Sequence, residues 1–262
     1  MSICRPWPRS PSKKKGLHPE AAFWYFVDPQ IKKYHMKTRS QSAFTLIEML
    51  VVISIIAVLA AFAVPALTSA LTKGQMTGTL NNGRQLYLAA QQMALDGAAN
   101  SAPNLCWPGD DATIATVTDY CNRLYQNDYL KPGDLQKLLN APGTNATVTV
   151  TSAGPPPVVQ LAGTTPAFKF FKVTDAASAN VVFLETNNYT YDTTLQGVTA
   201  APFGDKGFIV QRRGGDASIL RKNNATMVAG QDAIYQGTVG KKIGDADGTV
   251  TAGDGANLLN WP

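Results

Sequence analysis

A long apolar run near the N-terminus is the feature that most constrains what this chain can fold into. From Met49 to Leu71 the sequence contains no charged side chain, and a helix that spans a membrane needs about 20 such residues. A single carboxylate, Glu48, stands at the start of the run. Because an ionisable group in such a segment is costly to insert, Glu48 is a candidate functional residue. We expect a positive charge from another copy of the chain to neutralise it; the alternative is a carboxylate that lies among lipid headgroups.

The residues around Glu48 resemble a known processing signal. Segment 42–48 reads SAFTLIE and leads into the apolar run, a pattern similar to the class III signal of type IV pilins and type II secretion pseudopilins. In that family a prepilin peptidase cuts before the aromatic residue and methylates the new amine. The resemblance implies a cut between Ala43 and Phe44, followed by N-methylation of Phe44. The sequence departs from the family at Ala43, where glycine is usual.

The same resemblance assigns roles inside the apolar helix. Glu48 becomes the fifth residue of the mature chain, where the family has the glutamate that acts in assembly. Pro65 falls where the family often has a proline that kinks the helix, and a proline inside a helix removes one backbone hydrogen bond. The partners implied are prepilin peptidase, sister pilin or pseudopilin subunits, the membrane, and an assembly platform in the inner membrane.

A basic leader accounts for the positive charge of the chain. Residues 1–43 hold nine of the 23 Lys and Arg side chains and two of the 18 Asp and Glu side chains. Residues 44–262 therefore carry 14 basic and 16 acidic side chains. They lack the concentrated basic patch that nucleic-acid binding requires. We expect residues 1–43 to be removed and no nucleic acid to bind.

Two translation starts are open for this leader. Residues 36–43 form a short basic leader of the kind that the family has, whereas residues 1–35 mix Pro, Lys, Trp and Tyr without a pattern. We expect translation to start at Met36, with residues 1–35 a start-site artefact; the alternative is a genuine long leader. In either case Lys37 and Arg39 precede the apolar run, which favours a cytoplasmic N-terminus and a periplasmic globular part.

The distribution of histidine argues against an enzyme. Both histidines, His18 and His35, lie in the leader, so the remaining chain lacks the usual general base and the commonest metal-ligating side chain. This excludes Ser-His-Asp and Cys-His catalytic arrangements and any zinc site that contains histidine. We expect no enzymatic activity.

Two cysteines remain after the leader. Cys106 and Cys121 lie fifteen residues apart in the part of the chain that we expect outside the cytoplasm. A cysteine pair in an oxidising compartment predicts a disulfide bond. Two free buried thiols are the alternative.

The helical pattern continues beyond the apolar run. Small and apolar residues recur at alternating steps of four and three, which predicts one buried stripe of an amphipathic helix; they are Met76, Leu80, Gly83, Tyr87, Ala90 and Ala94. Gly97 is a candidate helix stop. The sequence thus predicts one helix over residues 44–96, with its first half in the membrane, and a globular domain over residues 97–262.

Patterns in the globular domain predict short helices followed by strands. Residues 117–130 and 133–139 have helical spacing, with a Pro-Gly break between them. Later segments alternate as strands do; they are 147–151, 158–161, 167–173, 180–185, 207–212 and 218–221. Residues 213–216 form a candidate hairpin turn. The predicted fold class is α+β: a long N-terminal helix packed on a small antiparallel sheet, which is also the pilin-like fold that the resemblance implies.

An acidic stretch near the C-terminus is the other candidate site. Asp245, Asp247 and Asp254 lie within residues 244–255, and calcium takes six to eight oxygen ligands from groups of this type. The major pseudopilin of type II secretion carries calcium near its C-terminus, so the resemblance favours calcium here. The alternative is that the two Asp-Gly pairs form tight turns.

These features predict a structural subunit of a pilus-like filament. The first interpretation is a type II secretion pseudopilin that is held in the inner membrane and assembled through its apolar helix to drive protein export. A type IV minor pilin for adhesion or DNA uptake is the alternative within the same class. A secreted binding protein or enzyme, cut after Ala70 by an ordinary signal peptidase, is the alternative from another class.

Overall fold

The computed structural model describes residues 44–151 and 156–262. Contacts divide the chain after Val52, so that residues 44–52 belong to one unit and Ile53–Pro262 form a second, compact unit. Within the described residues the elements follow in the order α1 (Leu46–Asn100), α2 (Val117–Gln126), α3 (Pro132–Leu138), β1 (Thr147–Thr151), β2 (Val158–Ala162), β3 (Phe168–Phe170), β4 (Val182–Thr186), β5 (Phe208–Arg212), β6 (Ala217–Leu220), a 3₁₀ turn (Lys222–Asn224) and α4 (Asp232–Thr238).

Helix α1 ends later than the sequence predicts. It runs through Gly97 to Asn100, and Ser101 then takes a left-handed conformation with φ of 50°. The N–H of Ala102 donates to the carbonyl of Gly97 at 2.9 Å, which is the closing hydrogen bond of a Schellman cap. The prediction that Gly97 stops the helix is therefore wrong. A Cβ on Gly97 would lie 1.8 Å from the carbonyl oxygen of Leu105, so the glycine instead allows the following loop to cross the helix closely.

The second half of α1 buries the predicted face. Four residues of the predicted stripe are buried, while Tyr87 and Ala94 are partly buried and pack against the core. The buried face is wider than predicted, because adjacent positions on the helix also turn inward. Its members are Met76, Thr79, Leu80, Gly83, Leu86, Ala89, Ala90, Met93 and Gly97.

The strands form two antiparallel sheets. Strands β1 and β2 pair as a hairpin, and β3, β4, β5 and β6 form a four-stranded sheet in chain order. All six predicted strands are present. Five of them differ from the prediction by at most two residues at either end, whereas the strand predicted over residues 167–173 is limited to Phe168–Phe170. The predicted turn at residues 213–216 joins β5 to β6, where Gln211 pairs with Ala217. Gly215 has φ of 97° there, a conformation that favours glycine.

Both faces of the central strands are covered, since every residue of β4 and β5 is buried. Aromatic side chains fill the space between β4 and the helices. Phe183 meets Trp107 edge to face with ring centroids 5.3 Å apart, and it meets Phe170 in the same way at 6.1 Å. Such pairs add to the free energy of simple burial. The core therefore lies between the second half of α1, α2 and the four-stranded sheet.

The observed fold class is α+β with a pilin-like layout, as predicted. Helix α2 begins at the predicted residue, where Thr116 and Asp119 form a capping box, and it ends at Gln126 rather than at residue 130. Helix α3 begins one residue earlier than predicted, with Pro132 at its first turn. The sequence patterns missed α4, a helix of seven residues whose N-cap Gln231 makes no side-chain cap hydrogen bond.

Candidate functional site

The described chain begins at Phe44, the residue that directly follows the predicted cut. Ala43, the leader 1–43, the start at Met36 and the basic pair Lys37 and Arg39 lie outside the described residues. Phe44 is 76% exposed. Phe44 is therefore an exposed residue ahead of α1, which begins at Leu46.

Glu48 takes part in a capping box at the start of α1. The backbone N–H and the hydroxyl of Thr45 donate to Glu48 Oε2 at 2.7 and 2.8 Å. In return the N–H of Glu48 donates to Thr45 Oγ1 at 3.2 Å. This reciprocal arrangement satisfies two of the N–H groups that a helix start leaves without partners.

The sequence analysis missed the cap, although the pattern Thr-x-x-Glu before an apolar run is a known signal for it. The cap gives Glu48 a local structural role beside any role in assembly. The side chain remains exposed, so a cation from outside the chain can still reach the carboxylate. Local capping and contact with a second copy are therefore compatible.

The apolar segment after Glu48 is exposed along its whole length. Every residue from 44 to 71 is exposed, and an 18-residue window within α1 has a mean hydropathy of 2.8 with none of it buried. By length and composition, α1 is a candidate membrane span among the described residues. An exposed apolar surface of this size is typical of a segment that contacts a membrane or another protein.

Pro65 lies inside α1 without ending it. The hydroxyl of Thr68 donates to the carbonyl of Pro65 at 2.9 Å, which is a common side-chain contact within helices. The helix continues on both sides of the proline. A kink at Pro65 stays a prediction.

The two cysteines are free thiols in the structure, so the structure does not contain the predicted disulfide. Cys121 is fully buried on α2, and burial raises the pKa of its thiol to about 12. Cys106 is partly buried beside a cavity of about 500 Å³, and burial, with Asp111 and Asp110 nearby, raises the pKa of its thiol as well. Because the thiolate is the form that reacts, a raised pKa lowers the fraction of reactive thiolate at a given pH. The pairing of Cys106 with Cys121 stays a prediction.

The three predicted calcium ligands do not converge. Asp254 Oδ2 pairs with Lys169 at 2.6 Å, and Asp247 Oδ1 pairs with Lys241 at 2.7 Å. Asp245 Oδ1 lies 3.8 Å from the ammonium nitrogen of Lys242. Each carboxylate therefore faces a different lysine. Among residues 44–151 and 156–262, no group of three or more His, Cys, Asp or Glu side chains is placed to hold a metal ion.

The sequence analysis also missed a buried acid beneath the C-terminal stretch. Glu185 on β4 is fully buried, its Oε1 lies 3.5 Å from the ammonium of Lys169, and its Oε2 has no hydrogen-bond partner. Burial raises the pKa of this carboxyl well above its ordinary value, although Lys169 opposes that shift. No short motif could have indicated this cluster, because its members are distant in the chain. Glu185 is 16 residues from Lys169, and Asp254 is 85 residues from Lys169.

Comparison with known families identifies the N-terminal segment. Residues 38–64 match the family model of the prokaryotic N-terminal methylation motif. No curated protein and no solved structure matches the chain. The matched residues include the predicted cut, Glu48 and most of the exposed apolar segment. With its long apolar helix and small antiparallel sheet, the chain has the N-terminal signal and the α+β layout of a type IV pilin-like protein.

Proposed function

We propose that this protein is a structural subunit of a pilus-like filament, and specifically a type II secretion pseudopilin. Prepilin peptidase cuts it between Ala43 and Phe44 and methylates the new amine. The mature subunit is stored in the inner membrane with residues 97–262 in the periplasm, and it is assembled through α1 to drive protein export. The observation that carries this proposal is the methylation motif over residues 38–64.

The two halves of α1 support this proposal, because a filament subunit needs one helix segment for contacts with lipids or sister subunits and another for packing on its own globular part. Residues 53–71 are apolar and exposed, so lipids or sister helices can surround them in turn. Residues 76–97 bury one face against the chain's own core. A subunit built in this way can move from the bilayer into a filament without unfolding its globular part, because the two surroundings contact different residues.

Glu48 supplies the specific contact in this proposal. After the cut, Phe44 carries a free, positively charged amine, and Glu48 is the one carboxylate in the apolar segment. Pairing of Glu48 in one subunit with the amine of its neighbour neutralises two charges in apolar surroundings and fixes the axial position of the incoming helix. The backbone N–H of Thr45 donates to Glu48 Oε2 and holds the carboxylate at the helix start, where this pairing takes place.

The N-terminus of the mature protein tests the proposed processing. Mass spectrometry of the protein isolated from cells that contain prepilin peptidase should find N-methyl phenylalanine at Phe44. Ala43→Gly should be cut at least as fast as the native protein, and Ala43→Trp should stay uncut. A mature chain that begins at Leu71 would instead establish an ordinary signal peptide, and normal cutting of Ala43→Trp would contradict the assigned cleavage site.

A secretion assay tests the assignment to type II secretion. Deletion of the gene should stop export of the proteins that depend on this pathway and leave surface pili and DNA uptake intact. Restoration of export by the native gene, but not by the uncut Ala43→Trp variant, is the expected result. Loss of pili or of DNA uptake with export intact would favour the type IV minor pilin.

A further inference from the structure

The acidic C-terminal stretch, residues 244–255, is arranged around ammonium groups. Lys242 lies at its start, with 8% of its side chain exposed, and faces Asp245, of which 6% is exposed. Lys242 Nζ donates to the carbonyl of Thr251 and, at 2.9 Å, to the carbonyl of Gly253. Two backbone carbonyls and one carboxylate thus surround one buried positive charge.

This set of ligands resembles the one that a hard cation takes from a loop. Calcium sites combine carboxylates with backbone carbonyls, and here the ammonium of Lys242 lies among these groups. Asp245 is fixed further by the N–H of Thr251, which donates to its Oδ2 at 3.2 Å. A metal ion at this position would have to displace a lysine that is already held by three groups.

A second lysine, with 12% of its side chain exposed, contacts the other end of the stretch. Lys169 on β3 pairs with Asp254 at 2.6 Å and also donates to the carbonyl of Tyr189. Asp254 Oδ1 in turn accepts from the N–H of Tyr191 at 2.9 Å. The stretch is therefore attached to the sheet through a lysine that belongs to the sheet itself.

We propose that the chain supplies its own cations to this stretch: the ammonium groups of Lys242 and Lys169 hold residues 244–255, and the fold does not require calcium. The residues present do not fit the calcium site that the pilin-like resemblance implies. An ammonium that is covalently part of the chain cannot dissociate, so the stretch stays ordered at any calcium concentration. This inference does not depend on filament assembly.

Thermal unfolding of the full chain in detergent micelles tests the inference. The native protein should have the same unfolding midpoint in excess calcium and in excess EDTA, and calorimetric titration with calcium alone should detect no binding. A midpoint that rises with calcium, or measurable calcium binding by the native protein, would overturn the proposal. This comparison needs no variant.

Replacement of Lys242 sharpens the test. Lys242→Met keeps most of the apolar stem and removes the charge, which leaves Asp245 and two carbonyls around an uncharged group. We expect the unfolding midpoint in EDTA to fall by about 5–10 °C. Lys241→Met is the matched control, because Lys241 pairs with Asp247, whose side chain is 93% exposed, and it should shift the midpoint by no more than about 2 °C. Equal shifts in the two variants would contradict the proposed role of Lys242.

Discussion

The two halves of α1 have the same backbone conformation and opposite surroundings. Residues 44–71 are exposed and uncharged except for Glu48, whereas residues 76–97 bury a face of nine residues. In the second half, glycines and apolar residues are placed by contacts with the chain's own core. In the first half the apolar residues are exposed, so their composition reflects what surrounds the helix outside the chain. One helix thus has two kinds of surroundings: the chain's own core along its second half, and the outside of the chain along its first half.

The two glutamates that follow the predicted cut also differ in exposure. Glu48 is exposed and capped by Thr45 at the helix start. Glu185 is fully buried in the sheet beside Lys169. Glu185 is enclosed by the chain itself, whereas Glu48 is exposed and remains open to a second molecule. Substitutions in the second half of α1 and in the sheet should therefore change the stability of the fold. Substitutions in the first half of α1 should instead change assembly.

The largest expected effect on folding comes from Gly97. In Gly97→Ala the new Cβ would lie 1.8 Å from the carbonyl oxygen of Leu105, so the backbone of the loop must move. We expect a loss of at least about 3 kcal/mol in the free energy of unfolding, measured by denaturant titration in detergent. Gly78→Ala is the matched control: a Cβ there meets nothing within 4 Å and should stabilise the helix by about 0.5–1 kcal/mol. Similar effects of the two substitutions on the free energy of unfolding would contradict the close contact between Gly97 and the loop at Leu105.

Leucines from the two halves should also differ. Leu86 is 1% exposed and Leu59 is 63% exposed. Leu86→Ala should lower the free energy of unfolding by about 2–5 kcal/mol, because it leaves a cavity in the core. Leu59→Ala should leave that free energy within about 0.5 kcal/mol of the native value. A large loss from Leu59→Ala would mean that the first half also packs against the domain.

Glu185 predicts a dependence of stability on pH. Its pKa is raised in the folded state above the ordinary value of 4.5, chiefly by burial, so the folded state keeps a proton that the unfolded state loses. The stabilisation is fully present below about pH 4.5 and is lost as the pH rises through the folded-state pKa, at up to about 1.4 kcal/mol per pH unit. Glu185→Gln should flatten this part of the curve. An unchanged slope in the variant would show that another group is responsible.

The smallest effect concerns the two cysteines, of which Cys106 lies in the loop after α1 and Cys121 on α2. In protein made in an oxidising compartment, the sequence predicts a Cys106–Cys121 disulfide, seen as a mass about 2 Da below that of the dithiol. If the thiols are free, as in the structure, a mild alkylating reagent should modify Cys106 first and Cys121 only after unfolding, because Cys121 is buried. Intact mass after alkylation, with and without reduction, distinguishes the two states.

Local patterns in the sequence predicted the parts of the fold that depend on local physics. Three such patterns have a direct structural meaning. They are the uncharged run from Met49, the helical stripe that includes Met76 and Ala90, and the alternation in β1. The cap formed by Thr45 and Glu48 was not predicted, but it could have been recognised from the sequence, since both residues lie within one turn. The N-terminal signal was predicted because its residues are contiguous.

Features that depend on distant contacts could not be predicted in this way. Gly97 looked like a helix stop, because nothing in the sequence shows that Leu105 crosses it. Asp245 and Asp254 looked like calcium ligands, because an acidic stretch does not indicate that Lys169, 85 residues away from Asp254, provides a charge. Helix α4 was missed because it is short and has no capping side chain.

The measurement that tests the central claim most directly is the filament yield of Glu48 variants. The full chain is produced in excess with prepilin peptidase and the assembly platform, and filaments are sheared from the cells or crosslinked between subunits. Glu48→Leu should be inserted, cut and methylated, yet give few or no filaments. Thr45→Val is the control that removes the hydroxyl of the cap and keeps the carboxylate; it should assemble nearly as well as the native protein. Native yield from Glu48→Leu, or an equal defect in Thr45→Val, would contradict the proposed pairing of Glu48 with the amine of a neighbouring subunit.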